Sequence, residues 1–293
     1  MVTFRGGDSV ASALRALAGA RERLQQDDEL VAVIVDNASR DGTIDRVREH
    51  APWAELMALQ ENVGFAAACN IGIGRVADAH VIVLLNPDVE VGADFLACLL
   101  TLDWPSDVAA RGPAILDGRG ALEQSARGFP RARTALLGRT SLLARIRPAS
   151  RLLRHDLLAD PTAGPRAVDW VSGACLIAPA ERFRSVGLLD EAYFMYWEDA
   201  DWCRRAHARG YSVIYDPRLV VTHHQGSSTR YRSVATTVSF HRSALRYWRK
   251  HVARSPASSA AAATALTVRC ALKLTAIWMH EAAARVRAKR RAR

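Results

Sequence analysis

Two short apolar runs, LVAVIVD at 30–36 and HVIVLL at 80–85, constrain this chain more than any other feature. Neither alternates with polar residues, and each stops at a turn sequence: Asn37 to Gly42 after the first, Asn86-Pro87-Asp88 after the second. Runs of this length and composition read as buried strands. Pro87 has no N–H to give a sheet, so the second strand has to stop there. Between the runs, residues 43–50 and 65–77 are predicted helices, and residues 8–26 form an earlier one capped by Asp8 or Ser9. Strand, helix, strand with polar residues at the strand ends predicts an α/β fold. Its mixed, mainly parallel sheet is flanked by helices and open to ligand at the C-terminal edge. Only Val2-Thr3-Phe4 precede the first helix, so the first strand is truncated or the true start lies upstream.

Residues 103–167 are rich in Arg, Pro and Gly and read as loops and short helices. A strand and turn are expected at 168–178, a further strand at 211–221, a helix at 233–251 and a second helix after Ser255-Pro256. From Arg230 onward there are fifteen Lys and Arg against one acid, Glu281, so that segment carries +14 of a total of +10, and residues 1–229 carry −4. Two regions follow: a body at 1–229 and a basic helical region at 230–293, within which 257–293 is a candidate membrane-surface helix. At ~100° per residue, Arg269, Lys273, His280, Arg287 and Arg291 share one narrow stripe, with Ala271, Leu274 and Trp278 roughly opposite. That pattern suits a helix lying in an anionic membrane surface. Arg269 and Lys273 interrupt the apolar stretch and argue against a spanning helix. No zinc-finger or helix-turn-helix signature accompanies the charge, so nucleic acid is not the expected partner. Five cysteines without a CxxC pair argue against a zinc ribbon or a disulfide framework and fit reduced thiols in the cytoplasm. No secretory leader is expected, since Arg5 and Asp8 interrupt the N-terminus.

Five clusters can carry chemistry. Asp36 closes the first buried strand, where a carboxylate faces the crevice and can accept from a nucleobase or ribose; Asp41 reads as a helix cap. In Glu61-Asn62-Val63-Gly64, the glycine before a helix permits close backbone approach, and the helix start favours a diphosphate. Gly72 to Ala77 matches a GxGxxA pattern but precedes a strand rather than following one, which excludes a dinucleotide fingerprint. Asp88, at the end of the second strand, can hold Mg²⁺ or Mn²⁺. The densest cluster runs from Tyr193 to Arg205, where Glu198, Asp199 and Asp201 crowd together beside Tyr196 and Trp197. Like charges at this spacing raise carboxylate pKa values and suit a general base, and the aromatic rings offer flat faces to a sugar. Asp201 pairs with Arg205 at i,i+4 and reads as structural. Last, His223-His224 ends a strand, so one ring can reach a metal while its neighbour faces away.

In this order the clusters resemble family 2 glycosyltransferases of the GT-A fold, in the bacterial rhamnosyltransferase branch, over roughly residues 2–250. VDNASRDGT looks like the family's nucleotide-binding turn, ENVGFAAACN its second sugar-nucleotide segment, and LLNPDVE stands at its metal motif. WVSGACLIA resembles the acceptor-side segment, FMYWEDADWCRRA the segment with the catalytic base, and THHQGSS the histidine segment. The resemblance implies inverting sugar transfer with Asp199 as base. A divalent ion, Mg²⁺ or Mn²⁺, would be held by Asp88 and either His223 or His224. Thr3, Asp36, Asn62, Gly64, Asn70 and Asp88 would bind the nucleotide-diphospho-sugar, and Trp170, Gly173, Trp197 and Glu198 the acceptor. The implied donor is dTDP-L-rhamnose, with UDP-galactofuranose, UDP-galactose and UDP-N-acetylglucosamine as alternatives; the short first strand leaves an inactive paralogue as a further alternative. The implied acceptor is a saccharide or a polyprenyl-diphosphate-linked sugar of cell-envelope polysaccharide synthesis. This places the protein in the cytoplasm, peripheral on the inner face of the membrane. The chain departs from the family at Thr3-Phe4-Arg5, where Thr-Tyr-Asn is usual, and at Asn86-Pro87-Asp88, which supplies one carboxylate.

Overall fold

The computed structural model describes residues 1–123, 125–130, 164–224 and 234–291, with side chains as far as residue 282. Most of the expected 103–167 loop region, the end of the histidine segment from Gln225, and the side chains of Arg287 and Arg291 lie outside the described residues. In chain order the first half runs β1 (Val2–Thr3), α1 (Gly7–Arg21), β2 (Val33–Asp36), α2 (Thr43–His50), β3 (Glu55–Ala58), α3 (Phe65–Arg75), β4 (Val81–Leu85), β5 (Val89–Val91), α4 (Phe95–Leu100) and β6 (Val108–Asp117). The second half runs β7 (Ala126–Arg127), β8 (Arg166–Val168), β9 (Trp170–Val171), β10 (Cys175–Pro179), α5 (Ala180–Val186), α6 (Glu198–Ala208), β11 (Ser212–His223), α7 (Val234–His251) and α8 (Pro256–Arg291).

The apolar runs form strands because both of their faces are covered. Val33 and Val35 of β2 enter the main core with Ala66 and Cys69 of α3, while Ile34 points the other way onto Val10, Leu14 and Val47 of α1 and α2. β10 divides likewise: Leu176 and Ala178 face the main core, Cys175 and Ile177 face Leu85, Phe95 and Leu99. The strands lie in a parallel sheet, β1-β2-β3, and a six-stranded sheet, β4-β10-β6-β11-β5 with β8 on β11. A short ribbon pairs β7 with β9. Parallel pairing is less extensive than expected: β1–β2, β2–β3 and β6–β11 are parallel, and the other pairs are antiparallel. The first strand is as short as its residues suggest, and β1 sits at the edge of its sheet.

The largest difference from expectation is β6, a ten-residue strand where loops were expected. Arg111-Gly112-Pro113 in its middle argue against a strand, yet each is accommodated. Arg111 is buried, donating to Asp216 at 2.7 Å and to the Asp103 carbonyl at 2.8 Å. Opposite Pro113, β11 shifts register between Asp216 and Val220, which fits a proline that gives the ladder no N–H. The expected caps of α1 are also revised. The helix starts after Gly6 with no side-chain cap, Ser9 Oγ donates to the Gly6 carbonyl, and Asp8 pairs with Arg46.

The basic region is divided. α7 contributes Tyr247 to the main core and is built into the body, whereas α8 lies on α7. Its other side is open, with Val268, Leu272, Trp278 and Met279 exposed. Residues 256–282 are long and apolar enough to cross a membrane despite Arg269 and Lys273. All five cysteines are free.

Candidate active site

The site is assembled at the C-terminal ends of β2 and β4 by four segments that hold one another through backbone groups. At the β2 end, Asp36 is fully buried; Thr3 Oγ1 donates to its Oδ1 at 2.9 Å and the Ser39 N–H to its Oδ2 at 2.8 Å. Asp36 and Thr3, both expected on the nucleotide side, thus also fix the 37–39 loop. Asp41 accepts from Thr43 at the start of α2, as a capping residue does. Asn37 was not anticipated. Its Nδ2 donates to the Gly64 carbonyl at 3.1 Å, and its Oδ1 accepts from the Val63 N–H at 2.9 Å.

Asn62 Oδ1 accepts from the Gly64 N–H at 3.0 Å, so this asparagine shapes the turn into α3. Gly64 has φ +90°, and a Cβ there would come within 2.7 Å of the Phe194 carbonyl, which already accepts from the Phe65 N–H at 2.7 Å. The glycine thus lets α3 touch the aromatic-acidic segment. Asn70, expected on the donor side, is buried, with Nδ2 donating to the Leu189 carbonyl and to Glu191 and Oδ1 accepting from the Leu189 N–H, so it locks the 189–191 loop.

The acidic segment begins at a strained turn. Tyr196 and Trp197 both have positive φ, +69° and +74°. Non-glycine residues in this region cost ~1–3 kcal/mol each and persist where the surroundings over-determine them. Here α7 does so: Trp197 lies on Tyr247 (centroids 5.0 Å) and Phe240 (5.9 Å), Tyr196 lies on Phe240 (5.7 Å), and Ser243 Oγ donates to the Met195 carbonyl at 2.8 Å. Trp197 is half-buried by these contacts, while Tyr196 remains exposed. The turn delivers Glu198 and Asp199 as the first residues of α6.

The two carboxyls are in different settings. Asp199 Oδ2 accepts from the Gly173 N–H at 2.8 Å and its Oδ1 from the Ala200 N–H at 2.7 Å. Glu198 is buried, and its Oε2 has no hydrogen-bond partner. Burial pushes Glu198 well above the usual carboxylate range, and the neighbouring Asp199 charge adds to this. Burial also raises Asp199, but the Gly173 and Ala200 N–H groups and the Arg127 guanidinium favour its ionised form. Of the two, Asp199 is the carboxyl whose charged form has N–H donors at both oxygens, whereas Glu198 Oε2 has none. Each Asp199 oxygen retains a lone pair for a proton.

Gly173 links this pair to β4. Its neighbour Ala174 gives its carbonyl to the Asn86 N–H at 2.9 Å, and a Cβ on Gly173 would press Asp199 at 3.3 Å. Trp170, expected at the acceptor, is buried, its Nε1 donates to the Gly128 carbonyl, and Arg127 covers its ring at 5.0 Å. Beyond Asn86, Asp88 is buried, and its Oδ1 lies 3.3 Å from His223 Nε2. Glu123 Oε2 sits 3.1 Å from His223 Nδ1 and so fixes the ring. Burial lowers the His223 pKa, but Asp88 and Glu123 outweigh it and hold it above the ordinary value. His224 turns away to Glu90, at 3.1 Å, so of the adjacent pair it is His223 that faces Asp88. No motif marks Glu123, which follows a tight turn from β6. Among the described residues no three metal-binding side chains cluster, but one carboxylate and one imidazole suit Mg²⁺ or Mn²⁺, whose remaining positions go to phosphate and water. Burial raises the Tyr196 pKa, and the Glu198 and Asp88 charges both act on it in the same direction.

Comparison with known proteins agrees with this arrangement. Residues 1–114 match the model of "Glycosyl transferase family 2". The chain is 30% identical over 259 residues to the N-acetylglucosaminyl-diphospho-decaprenol L-rhamnosyltransferase of Mycobacterium tuberculosis, covering 83% of this chain and 80% of the relative. It is 25% identical over 218 residues to the rhamnosyltransferase WbbL of Escherichia coli, covering 71% and 78%. In fold it is similar to the mannosyltransferase PcManGT of Pyrobaculum calidifontis, solved with GDP-Man and Mn²⁺, at TM-score 0.55 and 18% identity, covering 96% of this chain and 78% of that one. Since the mycobacterial relative is 30% identical over most of both chains and the family model takes in the first 114 residues, the chain belongs to the family 2 glycosyltransferases and is a glycosyltransferase.

Proposed function

We propose that this enzyme transfers L-rhamnose from dTDP-L-rhamnose to an N-acetylglucosaminyl-diphospho-polyprenol, with inversion at the anomeric carbon, in cell-envelope polysaccharide synthesis. The observation that carries the sugar and the acceptor is the likeness to the mycobacterial rhamnosyltransferase over most of both chains. What supports the reaction type is the placement of Asp199, held by the Gly173 and Ala200 N–H groups beside the buried Glu198. Asp199 takes the proton of the acceptor hydroxyl as its oxygen bonds to the sugar's anomeric carbon, and the bond from that carbon to the diphosphate breaks on the opposite face. Glu198, protonated, supplies a hydrogen-bond donor beside it. Gly173 holds Asp199 in place through its N–H, and the Trp197 turn fixes where the acceptor ring can lie. Asn37, Asn62 and Gly64 shape the donor side. Asp88 and His223 Nε2 would hold Mg²⁺ or Mn²⁺, which stabilises negative charge on the leaving diphosphate.

A thermal-shift panel of dTDP- and UDP-sugars with Mg²⁺ or Mn²⁺ tests the donor. A ligand that binds only the native state at a hundred times its Kd adds ~2.7 kcal/mol of stability. dTDP-L-rhamnose is expected to give the largest shift. A larger shift with UDP-galactofuranose, UDP-galactose or UDP-N-acetylglucosamine would reassign the donor.

The same reading sets the protein on the inner face of the membrane through α8. Its open side presents Val268, Leu272 and Met279, while Arg269 and Lys273 point back towards α7. A helix lying in the surface can keep both cations off the lipid, which a spanning one cannot do without a partner. A chain ending at Ser255 should lose most of its partitioning onto phosphatidylglycerol vesicles. Equal sedimentation of truncated and full chains would remove the membrane role of α8.

A further inference from the structure

We infer that Arg269 and Lys273, on the inward edge of α8, form the subsite for the diphosphate of the lipid-linked acceptor. The inference rests on the acceptor class proposed above and assigns the residues that read it. The two cations are one helical turn apart on the side of α8 that packs on α7. Lys273 Nζ lies 5.8 Å from the Phe240 ring centroid, and Phe240 in turn touches Tyr196 and Trp197, which carry Glu198 and Asp199. Arg269 makes no ion pair among the described residues, and its Nε is buried without a hydrogen-bond partner. Next to Phe240, His241 is buried too. Its Nδ1 bonds the Thr237 carbonyl at 2.8 Å, its Nε2 has no partner, and both cations lie close enough to act on it. Cationic and nitrogen-bearing groups held together in this way favour an anion with several oxygens.

The order of features along the surface matches the order of groups along such an acceptor. The carboxylate pair meets the reacting hydroxyl, and the Tyr196–Trp197–Phe240 wall meets the sugar ring. Arg269 and Lys273 then meet the diphosphate, and the apolar side of α8, with Val268 and Leu272 exposed, continues towards the lipid chain. The donor's diphosphate has its own place across the Tyr196 turn, at Asp88 and His223.

Binding of two detergent-solubilised probes to the full chain tests this: farnesyl-diphospho-N-acetylglucosamine, and a farnesyl N-acetylglucosaminide lacking the diphosphate. The double variant Arg269→Gln, Lys273→Gln should weaken binding of the first by about tenfold or more, the scale of a lost charge-assisted contact. Its binding of the second, and its partitioning onto phosphatidylglycerol vesicles, should match the wild type. The charge-preserving pair Arg269→Lys, Lys273→Arg should restore most of the lost affinity. Melting curves confirm that the variants fold, and Lys273→Gln alone gives the same comparison with the least disturbance. Equal weakening for both probes, no weakening, or a loss seen on vesicles in place of the diphosphate probe would overturn the subsite. A wild type that binds the diphosphate probe through these residues yet transfers no rhamnose would leave the subsite standing and refute the proposed reaction. Transfer of rhamnose with unchanged probe binding by the double variant would refute the subsite alone.

Discussion

Asp199→Asn should lower turnover by ~10²–10⁴-fold, the usual cost of removing a general base, and leave donor binding intact. The amide preserves shape and its one oxygen can still accept from the Gly173 N–H, which Asp199 Oδ2 now does at 2.8 Å, at the loss of the bond from the Ala200 N–H, but it cannot take a proton from the acceptor hydroxyl. Rate and donor affinity are therefore expected to separate: kcat collapses, while the dTDP-L-rhamnose thermal shift stays near that of the wild type. Near-normal turnover in this variant would move the base elsewhere. The wild-type pH profile provides a second check. Burial raises Asp199 above the ordinary aspartate range. Asp199 must be ionised to act, so activity should fall as pH drops to where Asp199 itself takes a proton, above that ordinary range.

The sequence shows part of this site plainly and hides the rest for identifiable reasons. The runs that became β2 and β4 were legible because strands buried on both faces need continuous apolar residues, and α2 was found at its observed ends, Thr43–His50. β6 was not legible, since the residues that break a strand pattern, Arg111 to Pro113, are neutralised by Asp216 and by the irregular stretch of β11, both distant in sequence. β3 was missed because its four residues are only partly buried, which leaves a weak apolar signal. Within the site, residue type located the acids and the histidine pair but not their tasks. Asp36, Asn62 and Asn70 are polar residues in motif positions, and each is consumed by backbone groups that only folding brings within reach. The choice between His223 and His224 needed the pairing of β11 with β5, which sets His223 beside Val89, next to Asp88. Glu123 and Asn37 act by orienting others, and no spacing rule announces such residues.

The largest loss of stability is expected from Asp201→Ala, about 3–5 kcal/mol, the range seen when one partner of a buried ionic cluster is removed. Asp201 is fully buried, and its Oδ2 accepts from Arg205 Nε at 2.9 Å. Its Oδ1 meets His251 Nε2 at 2.7 Å and Lys250 Nζ at 2.8 Å. Arg205 belongs to α6 and the other two to α7, so this carboxylate ties the helix that bears the catalytic pair to the helix that supports the Trp197 turn. Alanine removes the shared acceptor of Arg205, Lys250 and His251, of which Lys250 keeps Asp190 at 2.7 Å, and urea unfolding should show the loss directly. The pH dependence has a definite sign. Burial raises the Asp201 pKa, but the bonds to His251, Lys250 and Arg205 outweigh it and hold the carboxyl well below the usual range. Its contribution is then complete above the unfolded-state value of ~3.9 and fades as pH falls towards the depressed folded value. The variant should lack that acid-side decline. Donor binding should suffer less than transfer wherever the variant is folded, because the 37–39 and 62–64 turns are held by one another and by Thr3, whereas transfer should fall as the Trp197 turn loses its backing. A variant that unfolds within ~1 kcal/mol of the wild type would show that the α6–α7 junction is held by Tyr247 and its neighbours through apolar contact alone.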